Sequence, residues 1–294
     1  MKKDFDFLIV DGTYLTYRSY YAMLYSKAKL TNSKGEPTAA VAGFLNTLIS
    51  LQTRFNFKYI VFAFDAHAKT FRHEIFTDYK ANRKKAPEEF YFQLTLIQKI
   101  LESLNFKVII ENGFEADDVI AKIVKEYADN EKLIFSADQD LNQLINNKTS
   151  ILKKVKQEYV VINNDNFREF YDFNPNQVID FKAIVGDPSD NFKGVEGIGP
   201  KTCAKMLEEF GNVENIYENL DKFSEKISQK LLEFKEIVFK NKYLATLRDA
   251  FTLPQIPLEE LDFQNFKITE KANEFLEDYE LKNVKNKLIK LILN

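Results

Sequence analysis

The stretch 106-FKVIIENGFEADDVIAKIV-124 reads as a short buried strand that runs into a helix, and its corner carries Glu115, Asp117 and Asp118 within four positions. After the acids, Val119, Ile120, Ile123, Val124 and Tyr127 fall on one helical face. Acids at a helix start have an ordinary explanation, because they cap free N–H groups and complement the helix dipole. That accounts for one acid well and two tolerably. Three like charges at one corner repel unless something positive stands between them.

Working outward, the same strand-then-helix unit recurs. FDFLIV (5–10), YIVFAF (59–64) and KLIFSA (132–137) read as further buried strands, with helical periodicity near 38–55, 88–104 and 116–128. Such alternation predicts an α/β fold with a mostly parallel central sheet flanked by helices. ILKKVKQEYVVI (151–162) reads as more strand, at an edge. From about residue 163 short helical segments separated by Asn, Gly and Pro take over, so the expected boundary is near residue 173. The two expected domains are an α/β domain over 1–173 and a helical lobe over 174–294.

Each strand end delivers acid. Strand one ends at Asp11, strand two at Asp65, strand three leads to Glu115, Asp117 and Asp118, and strand four to Asp138 and Asp140. Ligands of open parallel sheets bind at the carboxyl ends of the strands. A lone strand-end Asp is an ordinary cap or turn residue, but the joint pattern is a carboxylate cluster that needs cations. An oxygen-only set without His or Cys suits Mg²⁺ or Mn²⁺. The surplus of acids points to two ions, which in such sites lie about 3.5–4 Å apart and act on phosphodiesters. GDPSDN adds Asp187 and Asp190, on one face of a turn, to complete the second set. His67 and His73, the only histidines, are read as loop residues and not as ligands.

Three more segments carry charge or special geometry. In GVEGIGPKTCAKML (194–207), Gly197 and Gly199 allow a tight turn, Pro200 suits the first helical position, and Lys201 and Thr202 add donors to free N–H groups; this is an anion site that fits a DNA phosphate. HAKTFRHEIFTDYKANRKK (67–85) interleaves Lys69, Arg72, Lys80, Arg83, Lys84 and Lys85 with Phe71, Phe76 and Tyr79, as in grooves that track single strands. Lys80 and Arg83 share a face if the segment is helical. In YLTYRSYY (14–21), Arg18 is placed to reach a phosphate held by the metals, while Tyr14, Tyr17 and Tyr21 fit one helical face.

Composition bounds these readings. The chain has 294 residues, 45% hydrophobic, with 41 basic and 44 acidic residues and a net charge of −3. A bulk-basic nucleic-acid protein is excluded, local patches are not. One cysteine, Cys203, excludes an internal disulfide and a cysteine-built zinc site. No run is long enough for a signal peptide or a membrane span, so a reducing cytoplasm is expected.

With these residues assembled, the chain resembles the bacterial 5′-3′ exonuclease and flap endonuclease family, whose fold also forms the N-terminal domain of bacterial DNA polymerase I. LIVDGTYLTYR, FAFDAHAKTFRHEIFTDYKANR, GFEADDVIA, SADQDLNQL and GDPSDNFKGVEGIGPKTCAKML stand in the family's order and spacing. The resemblance implies a PIN-like nuclease domain with an arch at about 66–93 and a helical lobe with a helix-hairpin-helix turn at 194–202. It implies a first metal site of Asp11, Asp65, Glu115 and Asp117, with Asp118 close behind. The second would be Asp138, Asp140 and Asp190, with Asp187 acting through water. Lys80 and Arg83 would be the basic pair of the arch and Arg18 a phosphate contact. Lys69, Arg72 and Tyr79 would meet DNA at the arch, and Gly194, Gly197, Gly199, Lys201 and Thr202 at the turn, around a K⁺ ion.

The substrates implied are DNA with 5′ single-stranded ends, flaps or nicks, and RNA/DNA hybrids, handled by a monomer. A stand-alone form is expected, with no polymerase domain after Asn294. Gln139 stands where relatives carry a basic residue and DNFKGV replaces DNIPGV, but no ligand is lost. A haloacid-dehalogenase phosphatase, suggested by DFDFLIVDGTYL, is rejected because Ile9 occupies the place of its nucleophilic Asp. A non-catalytic binder of branched DNA is the remaining rival.

Overall fold

The computed structural model describes residues 3–25, 30–66, 68–156, 158–249, 251 and 255–293, so His67 lies outside the described residues. Strand β1 (Lys3–Asp11) leads into helix α1 (Gly12–Tyr25), α2 (Ala39–Arg54) and β2 (Phe55–Phe64). Next come α3 (Phe71–Ile75), α4 (Glu88–Ser103), β3 (Lys107–Ile110), α5 (Ala116–Glu126), β4 (Lys132–Phe135), β5 (Thr149–Val155) and β6 (Glu158–Ile162). The sheet order is β3-β2-β1-β4-β5-β6; only β6 runs antiparallel. The segment expected as one edge strand at 151–162 is thus two, a parallel β5 and the antiparallel edge β6.

Residue alternation builds the two cores. Leu8 and Val10 of β1, Phe62 and Phe64 of β2 and Phe135 of β4 face the layer of α2 and α4. Phe7, Ile9, Val61 and Ile134 face α5. With both faces covered, the strands read as continuous apolar runs. In α2 the buried positions Ala40, Val41, Phe44, Leu45, Leu48 and Leu51 form one stripe. From β1 the chain builds outward to β2 and β3, then crosses to β4 on the other side. A switch point therefore lies between the carboxyl ends of β1 and β4, where such sheets open a crevice.

Beyond the sheet come α6 (Val178–Val185), the hairpin β7 (Gly186–Asp187) and β8 (Phe192–Lys193), α7 (Pro200–Phe210), α8 (Val213–Glu218), α9 (Glu225–Glu233) and α10 (Lys235–Ala245). They pack around Ile184, Val195, Ile198, Cys203, Leu207, Ile216 and Val238 as a separate core. The last helices, α11 (Leu258–Leu261), α12 (Glu270–Asp278) and α13 (Lys282–Leu293), correct the expected lobe of 174–294. Leu261 joins the α5-side core, and Phe266, Ala272, Leu276, Leu281, Val284 and Leu288 join the α2–α4 side. The chain after Ala245 therefore returns to the α/β layer. Helical periodicity shows that a face is apolar; it does not show which layer covers it. Among the described residues no helix is long and apolar enough to cross a membrane.

Candidate active site

The acid corner of the opening stretch resolves into two roles. Glu115 precedes α5, Asp117 and Asp118 lie in its first turn, and the two neighbours turn to different surroundings. Asp118 is fully buried. Its Oδ2 and Oδ1 accept from Arg72 Nη1 and Nη2 at 2.6 and 2.8 Å, and they also accept the backbone N–H groups of Glu115 (3.1 Å) and Arg248 (2.8 Å). Asp118 is therefore a structural carboxylate and not one of the metal ligands expected. Arg72 is corrected with it: the residue is 2% exposed, its Nε donates to the Leu244 carbonyl, and it offers nothing to DNA.

Asp117 faces the crevice. One carboxylate oxygen each from Asp117, Asp138 and Asp140 lie within 4.8 Å of one another, as do those of Asp140, Asp187 and Asp190. Asp140 is common to both groups. The split differs from the expected one, in which Asp117 belonged with Asp11, Asp65 and Glu115. Those three carry other partners: Asp11 accepts from Tyr14 N–H and Ser136 Oγ, Asp65 from Ala116 N–H, and Glu115 from Arg72, Tyr79 and Lys80. They remain electrostatically part of the cluster. Burial, then repulsion from Asp65 and Asp138, raises Asp11 to about 7 despite the hydrogen bonds of Tyr14 and Ser136. Burial, then Asp138, Asp11 and Asp65, pushes Asp117 well above the carboxylate range. Burial also raises Asp65, with Lys80 opposing and Glu115 adding to it.

Cations from two chain segments, the arch and α6, compensate. Lys80 Nζ pairs with Glu115 at 2.6 Å, and Arg83 Nη2 with Asp190 at 2.8 Å. Burial alone would raise Glu115, but Lys80 and Arg72 outweigh it and hold it below its usual value. Lys182, on α6, pairs with Asp187 at 2.6 Å and also with Asp140. Its charge outweighs burial and lowers Asp187. The sequence reading missed Lys182. A basic residue five places before Asp187 was the available signal, and only the fold turns it toward Asp140.

The arch is turned, not helical, beyond α3. Lys80 has φ +54°, outside the helical region, and its N–H donates to the Asp190 carbonyl at 3.3 Å. Lys80 and Arg83 therefore converge on the acids through a turn; the shared helical face does not exist. Tyr79 is another correction. It is 3% exposed, stacks on Phe192 and donates its hydroxyl to Glu115, so it is a packing residue under the arch. Lys69, Lys84 and Lys85 are exposed, and His73 lies beside Thr70 at 3.0 Å with its ring edge on Tyr79. Arg18 Nη1 lies 3.4 Å from both Tyr14 Oη and the Lys154 carbonyl, and no ion pair holds it among the described residues.

In the glycine-rich segment 194–207, Gly197 has φ +84°, Gly199 precedes α7, and Pro200 is its first residue. Lys201 is exposed and Thr202 half-buried beside it. Gly194 has a different task from the DNA contact expected. A Cβ there would lie 2.0 Å from the Val185 carbonyl oxygen, so the glycine exists to let the chain cross α6's end.

Two family models divide the chain: "5'-3' exonuclease, N-terminal resolvase-like domain" over residues 6–172, and "5'-3' exonuclease, C-terminal SAM fold" over 173–269. A 5'-3' exonuclease of Aquifex aeolicus is 34% identical over 96% of this chain and 95% of its own length. The thermostable DNA polymerase I of Thermus thermophilus is 41% identical over 76% of this chain, and the match spans 26% of the polymerase. Among solved structures, a bacteriophage T5 flap endonuclease variant, described as a pseudo-enzyme-product complex with DNA and metal ions, is 26% identical with a TM-score of 0.68, covering 98% of both chains. The catalytic core of Rad2 with DNA substrate shares the fold at 16% identity and a TM-score of 0.63, covering 98% of this chain and 92% of its own. A switch-point crevice full of carboxylates, joined to a lobe with a Gly-Pro helix entry, is thus found where both halves match one family, and the chain belongs to the 5'-3' exonucleases.

Proposed function

We propose that the chain is a divalent-metal-dependent 5′-3′ exonuclease and structure-specific 5′ flap endonuclease that hydrolyses phosphodiesters of DNA, and of RNA primers, during replication and repair. The observation that carries this reading is the pair of carboxylate groups sharing Asp140, with Lys80, Arg83 and Lys182 standing where positive charge is needed. The donor set is all oxygen, and buried acids whose proton affinity is raised by one another fit hard cations. In this reading Asp117, Asp138, Asp140, Asp187 and Asp190 hold two Mg²⁺ ions, with Mn²⁺ able to substitute, and Asp11, Asp65 and Glu115 complete the field. A bound divalent ion would activate water and stabilise charge on the phosphoryl oxygens.

The chain's own residues do the rest. Ser136 and the Tyr14 N–H fix the Asp11 carboxylate, and Ala116 N–H fixes that of Asp65. Lys80 and Arg83 are the charges that a phosphate entering the crevice meets, with Arg18 on the β5 side. The free N–H groups at the start of α7, with Lys201 and Thr202, suit a duplex phosphate. K⁺ at this turn, action on RNA/DNA hybrids, a monomeric state and a cytoplasmic location belong to the same proposal.

A 5′-labelled flap and a blunt duplex, each incubated with Mg²⁺ or with EDTA and sized on a gel, test it. Mg²⁺-dependent short products from both substrates are expected. Binding without cleavage in Mg²⁺ or Mn²⁺ would make the chain a branched-DNA binder instead.

A further inference from the structure

Behind the arch lies a second cationic surface, outside the acid cluster, that takes Phe71 and Phe76 from the segment expected to track single strands and adds residues in and after α10. Arg248, just past α10, is half-buried and holds its guanidinium between two rings, 4.1 Å from the Tyr243 centroid and 5.1 Å from that of Phe71. Its Nε is buried without a hydrogen-bond partner, and among the described residues the side chain makes no ion pair. The nearest sequence neighbour with opposite charge, Asp249, is engaged by Lys125 at 2.7 Å. One turn back on α10, Lys240 Nζ sits 4.2 Å over Phe76, and Lys69 is exposed at the arch's start. Neither lysine has an ion pair among the described residues, and Glu74 is the exposed acid on α3 beside them.

A partly desolvated cation without a counter-charge is costly; the two ring faces offset part of that cost, and an anion would offset the rest. Ring stacking fixes the guanidinium plane and leaves its edge to donate to phosphate. The rings have their own use. Tyr243 is 49% exposed, and an exposed ring beside basic groups stacks unpaired bases. Bases of a duplex are already stacked, so the surface suits a single strand.

The surface is also joined to the acids. Phe71 precedes Arg72, whose guanidinium reaches Glu115 at 3.2 Å and Asp118 at 2.6 Å. The Arg248 N–H is bonded to that same Asp118 carboxylate. The surface and the acid cluster are thus joined through the Arg72–Asp118 pair.

We propose that Phe71, Phe76, Lys240, Tyr243 and Arg248 form a binding track for the 5′ single-stranded segment of the substrate, outside the cleavage site. The proposal rests on the nuclease reading, and its test separates the two. Fluorescence anisotropy in EDTA measures binding of nicked duplexes that carry 5′ tails of zero, five and twenty nucleotides, for the wild type, Arg248→Gln and Tyr243→Leu. The wild type should gain affinity with tail length, and each variant should lose about fivefold on the long tail, the effect of one stacking or phosphate contact, with no change at zero tail. The salt slope of Arg248→Gln should fall by about one on the tailed substrate only.

Tyr243→Leu alters an exposed ring and reads the track even where Arg248→Gln fails to fold. Equal losses with and without a tail, or no gain with tail length in the wild type, overturn the track. A wild type that cleaves nothing in Mg²⁺ would overturn the nuclease reading instead, whatever the tail does to binding.

Discussion

Replacing Asp118 by asparagine, beside the same change at Asp117, separates a structural carboxylate from a functional one at adjacent positions. Asp118 accepts four hydrogen bonds, two from Arg72 and two from backbone N–H groups, with both partners of the ion pair nearly free of solvent. Asparagine keeps one acceptor and turns its NH₂ toward donors at the other end. Arg72 then keeps only its longer pair with Glu115 at 3.2 Å, and removing one partner of a buried pair costs up to about 3–5 kcal/mol. Asp117 is the reverse case. Its carboxylate is disfavoured by burial and then by repulsion from Asp138, Asp11 and Asp65, so Asp117→Asn relieves the metal-free fold.

The assay is urea unfolding in EDTA at pH 8, followed by Mg²⁺ titration of each variant by calorimetry. Asp118→Asn should unfold at much lower urea and, below its transition, bind Mg²⁺ as the wild type does. Asp117→Asn should unfold at equal or higher urea and lose Mg²⁺ affinity. An Asp118→Asn protein that is as stable as the wild type but has lost Mg²⁺ affinity would refute the division and return Asp118 to the ligands.

In EDTA, stability should fall as pH rises from 5 to 8. The raised Asp11 contributes stability that is full below 3.8 and lost through about 7, bounded at about 4 kcal/mol at about 1.4 kcal/mol per decade of proton affinity. Asp117 acts in the same direction and the lowered His73 against it, and a urea midpoint that rises over this range would contradict the crowding. Lys182→Met should weaken the metal-free fold and shift Mg²⁺-dependent thermal stabilisation to at least about fivefold lower Mg²⁺, since a competing charge worth about 1 kcal/mol or more is removed; an unchanged midpoint would place Lys182 outside the ion's reach. Gly194→Ala should cost about 1–3 kcal/mol, because its Cβ would lie 2.0 Å from a carbonyl oxygen. Gly199→Ser, with open space around its Cβ, should keep the melting temperature but weaken duplex binding, because the new hydroxyl takes up the helix N–H that a phosphate needs; equal duplex affinity would remove the turn from the DNA contacts.

How much of this was legible from the chain follows from which interactions are local. The strands, α2, α4 and α5 were readable because burial on a sheet or helix imposes a period on neighbouring residues. The acids were readable because a parallel sheet carries every strand end to one edge, so position in a strand becomes position in space. The condition that would place Lys80 and Arg83 on one helical face is not met, because the left-handed Lys80 is held by a carbonyl of Asp190, more than a hundred residues away. The fate of residues beyond 245 was hidden for a related reason: α12 and α13 carry sound apolar stripes, and which core receives them depends on loop geometry.

The cations that make the acid cluster tenable were the least legible part, and the reason is physical. A strand-end acid is placed by backbone alone, but a counter-charge acts at the tip of a long side chain and can arrive from any segment. Arg72 and Lys80 come from the arch and Lys182 from the lobe; each looks like an ordinary surface charge in its own window of sequence. Their burial shows the difference. Arg72 is 2% exposed against Asp118, whereas Lys84 and Lys85, in a denser run of charge, are exposed and paired with nothing among the described residues. Charge density along the chain therefore pointed to the solvated lysines as much as to Arg83, while Arg72, Lys80 and Lys182 each stand directly after an aromatic residue, Phe71, Tyr79 and Phe181. For a nuclease of this kind, a lone Arg next to Phe, as at 71–72, is a better guide to the electrostatic frame than a basic run.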